Sequence, residues 1–129
     1  MEFQYKDDKI TRSTGYYKNA KSGYIDYYYD EKGNMIKQVK YTVLSSGITE
    51  LTTSTEYEFD NMSNPFQAFK RLTTPGKYTN PNNIIKETYT IHFEVDQWIQ
   101  KIQVTNNSYE YNGKGYPIRV NDEVEYVYK

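Results

Sequence analysis

The sequence predicts an all-β protein, mainly an antiparallel β-meander of about eight strands in a curled single sheet or half-barrel. Polar and apolar side chains alternate with the period of two that a strand requires, and turn-forming segments separate the alternating stretches. The connections are too short for the crossover that parallel strands need, so successive strands are expected to be antiparallel neighbours. The length of 129 residues suits one domain spanning residues 1–129.

A recurring unit is clearest at Tyr27–Ile36, where the sequence indicates a strand, a tight turn and a second strand. The Asp30 carboxylate can accept hydrogen bonds from backbone amides two residues on, and Gly33 can adopt the left-handed conformation that closes the hairpin. Similar segments are residues 109–118 with Asn112 and Gly115, residues 57–66 with Ser63 and Pro65, and residues 3–10 in a decayed form. Their irregular spacing predicts hairpin repeats with insertions.

Other turns and strands follow from the same patterns. Further turns are predicted at Asp7–Asp8, Asn19–Gly23, Ser45–Gly47 and Asp96–Gln97. In the strand at residues 24–30, alternation places Ile25, Tyr27 and Tyr29 on the core face and Tyr24, Asp26 and Tyr28 on the other. The strand at residues 51–59 is expected to have a solvated outer face, because Glu56 and Glu58 lie there.

One short helix is predicted near residues 65–72. Asn64 is a good N-cap and Pro65 suits the first helical position. Three apolar side chains follow at a spacing of three, namely Phe66, Phe69 and Leu72. They would form one stripe that could plug the open side of the sheet. Residues 73–83, rich in Pro, Gly, Thr and Asn, are expected to be the longest loop.

The last third of the chain predicts further strands at residues 85–95 and 118–128. Between them, the phase of the alternation changes after Asn106–Asn107, which indicates a bulge or a break. A single sheet with one apolar face must cover that face by curling, with the helix, or by pairing with another copy. The sequence leaves all three open, so a homodimer is one possible outcome.

Composition excludes several functional classes. The 16 Tyr, 5 Phe and 1 Trp compensate for few aliphatic residues, so the core is expected to be aromatic. The net charge is −1 with scattered Lys and Arg, which does not favour nucleic acid as a partner. No apolar run is long enough for a transmembrane helix. The absence of cysteine excludes disulfides and thiolate metal sites.

The turns at Tyr27–Asn34 and Tyr109–Tyr116 resemble the YD-type repeats of bacterial surface and toxin-shell proteins. Together with Asn64-Pro65-Phe66 and Asn82-Asn83-Ile84, they resemble a family of exported Bacteroidetes lipoprotein domains of unknown function. The resemblance implies an extracytoplasmic location in the cell envelope, either periplasmic or surface-exposed. It also implies that a signal peptide and a lipid-bearing cysteine precede the domain in a full-length precursor. It supplies no catalytic residues.

Little in the sequence indicates catalysis. His92 is the single histidine, and Thr90 and Glu94 beside it are typical of a solvated strand face. The possible carboxylate pairs are Asp7 with Asp8, Asp26 with Asp30, and Asp122 with Glu123. None of these pairs matches a calcium-binding loop or another metal site, and no phosphate loop or dinucleotide fingerprint is present. We therefore expect neither metal nor cofactor, and predict that the protein is not an enzyme.

Aromatic side chains outside the core face are the strongest functional signal. Tyr24 and Tyr28 point away from Ile25, and Trp98 follows a predicted turn. Exposed rings of this kind can stack on a sugar or pack against a protein. The sequence thus predicts a noncatalytic envelope module for binding, adhesion or scaffolding, with a glycan or another envelope protein as its partner. The alternative is a small extracytoplasmic hydrolase that uses His92 or a carboxylate pair.

Overall fold

The structure is a computed structural model that describes residues 1–65, 75, 80–121 and 124–125. It is all-β, as predicted. The strands in these ranges are β1 (Glu2–Lys6), β2 (Lys9–Tyr17), β3 (Ala20–Tyr29), β4 (Met35–Val43), β5 (Thr49–Ser63), β6 (Asn82–Ile91), β7 (Ile102–Asn106), β8 (Tyr109–Tyr111), β9 (Pro117–Val120) and β10 (Val124–Glu125).

The first seven strands form one antiparallel sheet in the order of the chain, which confirms the predicted meander. The remaining three strands form a second sheet in the order β10-β9-β8. The described strands therefore form one large meander and a small second sheet, which the prediction of one curled sheet did not separate. Within the described ranges β1 pairs only with β2 and β7 only with β6, so the large sheet is not closed into a barrel.

The change of sheet occurs where the alternation changes phase. β7 ends at Asn106, and β8 begins at Tyr109 in the second sheet. The predicted closing strand at 118–128 is instead divided, because Asn121 has a left-handed φ of 54° at the end of β9. Asparagine tolerates this conformation better than most residues, so the chain turns there before β10.

The predicted helix near residues 65–72 lies outside the described residues except for Pro65. Most of the predicted loop at 73–83 does so as well. The end of that loop was assigned wrongly, because β6 already begins at Asn82. Asn82 pairs with Ser63 of β5, and its side chain donates to the Met62 carbonyl. The Asn83 backbone amide donates to the Asp60 carboxylate. These contacts with β5 outweigh the usual preference of asparagine for loops.

The predicted turn at Asp30 has the expected hydrogen bonds. The Lys32 and Asn34 amides each donate to the Asp30 Oδ1 atom at 2.9 Å. The Gly33 amide donates to the Asp30 carbonyl at 3.2 Å, and Gly33 has a φ of +93°. The backbone reversal therefore depends on one carboxylate acceptor and one residue without a Cβ.

The turn at Asn112 repeats this arrangement with an amide in place of the carboxylate. The Lys114 and Tyr116 amides donate to the Asn112 Oδ1 atom at 2.9 and 3.1 Å. The Gly115 amide donates to the Asn112 carbonyl at 3.0 Å, and Gly115 has a φ of +83°. The two copies identified in the sequence thus form the same turn.

The copy at Asp60 does not form a hairpin. Its Oδ1 atom accepts from the Met62 amide at 3.1 Å, as in a turn, but β5 continues to Ser63. The same oxygen also accepts from the Asn83 amide at 3.1 Å. Because Ser63 replaces the glycine of the other copies, the chain stays extended and pairs with Asn82.

The turns at Asp7–Asp8 and Lys18–Asn19 are two-residue hairpins with positive φ at both central residues, between 49° and 65°. This geometry matches the twist of the flanking strands. The predicted turn at Asn19–Gly23 was placed too late, because β3 already begins at Ala20. Gly23 lies inside β3 opposite Gly15, where a Cβ would lie 2.6 Å from the Tyr41 carbonyl oxygen.

The buried side chains are more polar than the predicted aromatic core. Among the described residues, the buried hydrophobic side chains are Tyr27, Met35 and Val39, and the buried polar ones are Ser13, Thr14, Asn34, Thr55, Asn80 and Asn83. Two further tyrosines are partly buried, and burial raises the pKa of Tyr29 and of Tyr57 to about 12. A core with this composition requires hydrogen-bond partners for its polar groups.

Asparagine side chains supply many of those partners. The Asn34 Nδ2 atom donates to the Asn82 Oδ1 atom at 2.9 Å, and the Asn82 amide donates back to Asn34 Oδ1 at 3.0 Å. The Met35 amide donates to the Asn80 Oδ1 atom at 2.8 Å in a buried position. These bonds join the β3–β4 turn to the segment that enters β6.

Tyrosine hydroxyls attach the second sheet to β5 and β6. The Tyr109 hydroxyl donates to the Ile84 carbonyl at 2.6 Å, and the Tyr111 hydroxyl donates to the Asp60 carboxylate. Burial raises the pKa of Tyr111, and its hydrogen bond to the Asp60 carboxylate raises it further. The Tyr111 hydroxyl is therefore protonated at neutral pH and remains a donor.

We expect Gly23→Ala to lower the free energy of unfolding by about 1–3 kcal/mol, because the new Cβ would overlap the Tyr41 carbonyl and force the backbone to shift. Gly113→Ala is the matched control, since a Cβ there would meet nothing within 4 Å. Urea unfolding followed by circular dichroism measures both. Equal stability of the two variants would contradict the close packing of β3 against β4.

We expect Tyr111→Phe to lower the free energy of unfolding by about 1–3 kcal/mol, because it removes a hydrogen bond to a partly buried carboxylate and keeps the ring. Tyr17→Phe is the control, since Tyr17 is 69% exposed. The difference is read from urea unfolding curves at neutral pH. If Tyr111→Phe is no more destabilising than Tyr17→Phe, the hydroxyl does not attach the second sheet.

Candidate functional site

The strand register brings five polar and aromatic side chains to one face of β2, β3 and β4. Arg12 lies opposite Asp26, and Tyr24 lies opposite Tyr41. Tyr28 is on the same face because it follows Asp26 by two residues in β3. We call Arg12, Tyr24, Asp26, Tyr28 and Tyr41 the tyrosine–arginine cluster. Ile25 and Tyr27 lie on the opposite face, as the alternation predicted.

Arg12 is fixed by a bidentate ion pair. Its Nε atom lies 2.5 Å from Asp26 Oδ1, and its terminal nitrogen lies 2.9 Å from Asp26 Oδ2. This hydrogen bonding raises the pKa of Arg12 above its usual value. The two parallel bonds also fix the plane of the guanidinium group, whose central carbon lies 4.0 Å from the centroid of the Tyr24 ring.

The Tyr24 ring is held from both sides. It stacks on Tyr41 with ring centroids 4.8 Å apart and an interplanar angle of 26°. Because β3 lies between β2 and β4, Tyr41 and the Arg12 guanidinium are on opposite sides of this ring. Both faces of Tyr24 are therefore in contact with the protein, and a sugar ring has no free face of Tyr24 on which to stack.

Tyr28 is the exposed ring of the cluster, with 47% of its surface accessible. Its phenol is close enough to affect the ionisation of its neighbours. Burial raises the pKa of Tyr41, and the Tyr28 phenol and the Asp26 carboxylate raise it further. The cluster thus presents one exposed ring beside an arginine and two tyrosines that contact one another.

Trp98 does not join the other two predicted aromatic residues. It is 81% exposed and lies in the connection between β6 and β7. Two strands, β4 and β5, separate β3 from β6, which corresponds to about 14 Å in the plane of the sheet. Tyr24 and Tyr28 therefore share a surface that Trp98 does not extend. Arg12, Asp26 and Tyr41 also belong to this surface. Alternation had placed Asp26 on this face, but it did not identify Arg12 or Tyr41.

His92 has a hydroxyl partner. Its Nε2 atom lies 2.8 Å from the Ser54 Oγ atom, and its amide donates to the Thr52 carbonyl at 2.8 Å. The His92 side chain is exposed, and no ion pair between described residues includes it. A serine–histidine pair needs a third group that orients the imidazole, and the described residues supply no carboxylate for this role.

The predicted carboxylate pairs have other contacts or lie in turns. Asp26 binds Arg12, Asp30 accepts the turn amides, and Asp7 and Asp8 are the central residues of a hairpin. Asp122 and Glu123 lie outside the described residues. In the part of the chain that the structure describes, no group of three or more His, Asp or Glu side chains is arranged to hold a metal ion.

No family model, no curated protein and no solved structure matches this chain. Over residues 1–65 and 80–121, the structure contains no helix with the length and apolar character needed to cross a membrane. The tyrosine–arginine cluster is consequently the strongest basis for a functional proposal, because its contacts are well defined and its Tyr28 ring is exposed.

We expect the Arg12–Asp26 pair to have a coupling free energy of about 1 kcal/mol in a double-mutant cycle of Arg12→Ala and Asp26→Ala. The pair is partly exposed, so added salt should reduce the coupling. Lys37 and Glu56 form a matched control pair that is longer, at 3.5 Å, and more exposed. Urea unfolding measures all variants, and equal coupling in the two cycles would contradict a preorganised Arg12.

Proposed function

We propose that this protein is a noncatalytic module of the bacterial cell envelope that binds another protein through the tyrosine–arginine cluster. The observation that carries the proposal is the fixed position of Arg12 and Tyr24 beside the exposed Tyr28 ring. Tyrosine and arginine contribute more binding free energy at protein interfaces than most residues do. Side chains that are already ordered lose little conformational entropy on binding.

A protein partner is favoured over a glycan because of the rings that remain available. Tyr24 contacts Arg12 on one side and Tyr41 on the other, so its aromatic faces do not offer a stacking surface. Tyr28 offers one exposed ring. Protein interfaces combine an aromatic anchor with neighbouring charges, and the Arg12–Asp26 pair supplies charges of both signs next to that ring.

The envelope location rests on the resemblance of the turns at Asp30 and Asn112 to YD-type repeats. The lipid anchor of a full-length precursor belongs to the same proposal. In this location the open sheet would serve for adhesion or scaffolding. Both roles require an accessible sheet face, and neither requires a catalytic site. Fractionation of cells that express the full-length gene, followed by protease treatment of intact cells, tests the location.

A small extracytoplasmic hydrolase is the second candidate, and the contact between Ser54 and His92 is the observation that favours it. This reading requires His92 to act as a general base for the Ser54 hydroxyl. Hydrolysis of a chromogenic ester that is lost in both Ser54→Ala and His92→Ala would support it. The absence of activity, or activity that persists in His92→Ala, would exclude this pair.

We expect Tyr28→Ala to weaken protein binding by about tenfold or more, because it removes the exposed aromatic anchor. The immobilised protein is screened with a library of displayed peptides and, in parallel, with a glycan array. Tyr17→Ala is the control, since Tyr17 is exposed and lies outside the cluster. Peptide ligands that bind the Tyr28→Ala variant as well as the original protein, or glycan ligands without peptide ligands, would contradict the proposal.

A further inference from the structure

Strand β1 forms an edge of the seven-stranded sheet. It pairs with β2 on one side, and none of the described residues pairs with its other side. All five residues from Glu2 to Lys6 are exposed. An edge strand presents unpaired backbone donors and acceptors, and proteins normally protect such edges or use them to pair with another chain.

Two hydrogen bonds define which backbone groups point away from β2. The Thr11 hydroxyl donates to the Gln4 carbonyl at 3.4 Å, so the backbone polar groups of Gln4 face β2. The Tyr29 hydroxyl donates to the Ile10 carbonyl at 2.6 Å, so the backbone polar groups of Ile10 face β3. Tyr5 is opposite Ile10, and its polar groups therefore face outward. The direction of the backbone N–H and C=O groups alternates along a strand, so those of Phe3 also face outward.

The sequence of β1 is complementary to itself when two copies run antiparallel about Gln4. In this register Phe3 of one copy lies opposite Tyr5 of the other, and these are the residues with outward polar groups. Glu2 of one copy lies opposite Lys6 of the other, so opposite charges meet at both ends. Aromatic and opposite-charge pairs are both favourable between antiparallel strands.

We propose that two copies of this chain pair through β1 in this register, with a two-fold axis perpendicular to the sheet. The occupant of the edge is therefore a second copy, for which the charge pattern of β1 is the argument. The pairing extends the antiparallel sheet from one copy into the next. It leaves the two tyrosine–arginine clusters on the same face, because the axis does not turn the sheet over.

The opposite edge, β7, fits a second copy less well. Its sequence, Ile102–Asn106, contains no charged residue. Antiparallel pairing of β7 with itself about Val104 would place Ile102 opposite Asn106, which joins an apolar side chain to an amide. Neither the charge pairs nor the aromatic pairs of β1 are available there. A five-residue interface is small, so we expect dimers that form in the micromolar range or above.

Sedimentation equilibrium over micromolar to millimolar concentrations of the full chain tests the proposal. Glu2→Lys converts both end contacts of the dimer into like-charge pairs, and Lys6→Glu does the same, so each should weaken dimerisation by about tenfold. The double variant exchanges the charges, restores opposite pairs and should recover the original dimer. Tyr5→Pro removes an outward N–H and should abolish dimerisation.

Thr105→Lys is the control, because it places a charge on the other edge strand and should leave the β1 dimer unchanged. Circular dichroism and urea unfolding check that each variant is folded. Added salt should reverse part of the difference between the single variants and the original chain. A chain that stays monomeric, a dimer that both single variants retain, or a double variant that fails to recover would each overturn the proposal.

Discussion

The hydrogen bonds of the Asn34 side chain are the constraint on which most of the structure depends. Asn34 is 1% exposed, and its amide joins Asp30 in the β3–β4 turn to Asn82 at the start of β6. In the sheet, β5 lies between β4 and β6, so this contact crosses the end of β5. A chain with few aliphatic residues cannot define its core by apolar packing, and here buried amides fix the positions of the strands instead.

The sequence was most informative where a turn is determined by residues close together in the chain. The hairpins at Asp30 and Asn112 need one acceptor side chain and one glycine, and both could be predicted from these residues. Gly23 was misleading because a glycine in a strand resembles a turn glycine. Its actual role, the close approach of the Tyr41 carbonyl, is visible only when β3 and β4 are side by side.

The candidate site was predictable only in part, since it depends on register. Alternation placed Tyr24 and Tyr28 on one face of β3. If β2 and β3 paired without interruption from their two-residue turn, Arg12 would lie opposite Ile25 on the other face. A bulge between Gly15 and Tyr16 shifts the register, so that Arg12 meets Asp26. No residue pattern in the sequence identified this bulge, and the ion pair could not be predicted without it.

The order of the strands also determines how the chain reaches its structure. Every strand of the large sheet pairs with the strand that precedes or follows it. The hairpins from β1 to β5 close short loops at a small entropic cost, whereas the longer connection of residues 64–81 joins β5 to β6. Folding of such a meander is expected to be fast for an all-β protein. The contacts of Asn34 with Asn82 and of Asp60 with Tyr111 join residues 48 and 51 positions apart. Because these contacts join distant residues, we expect them to form after the hairpins and to affect mainly the rate at which the native state unfolds.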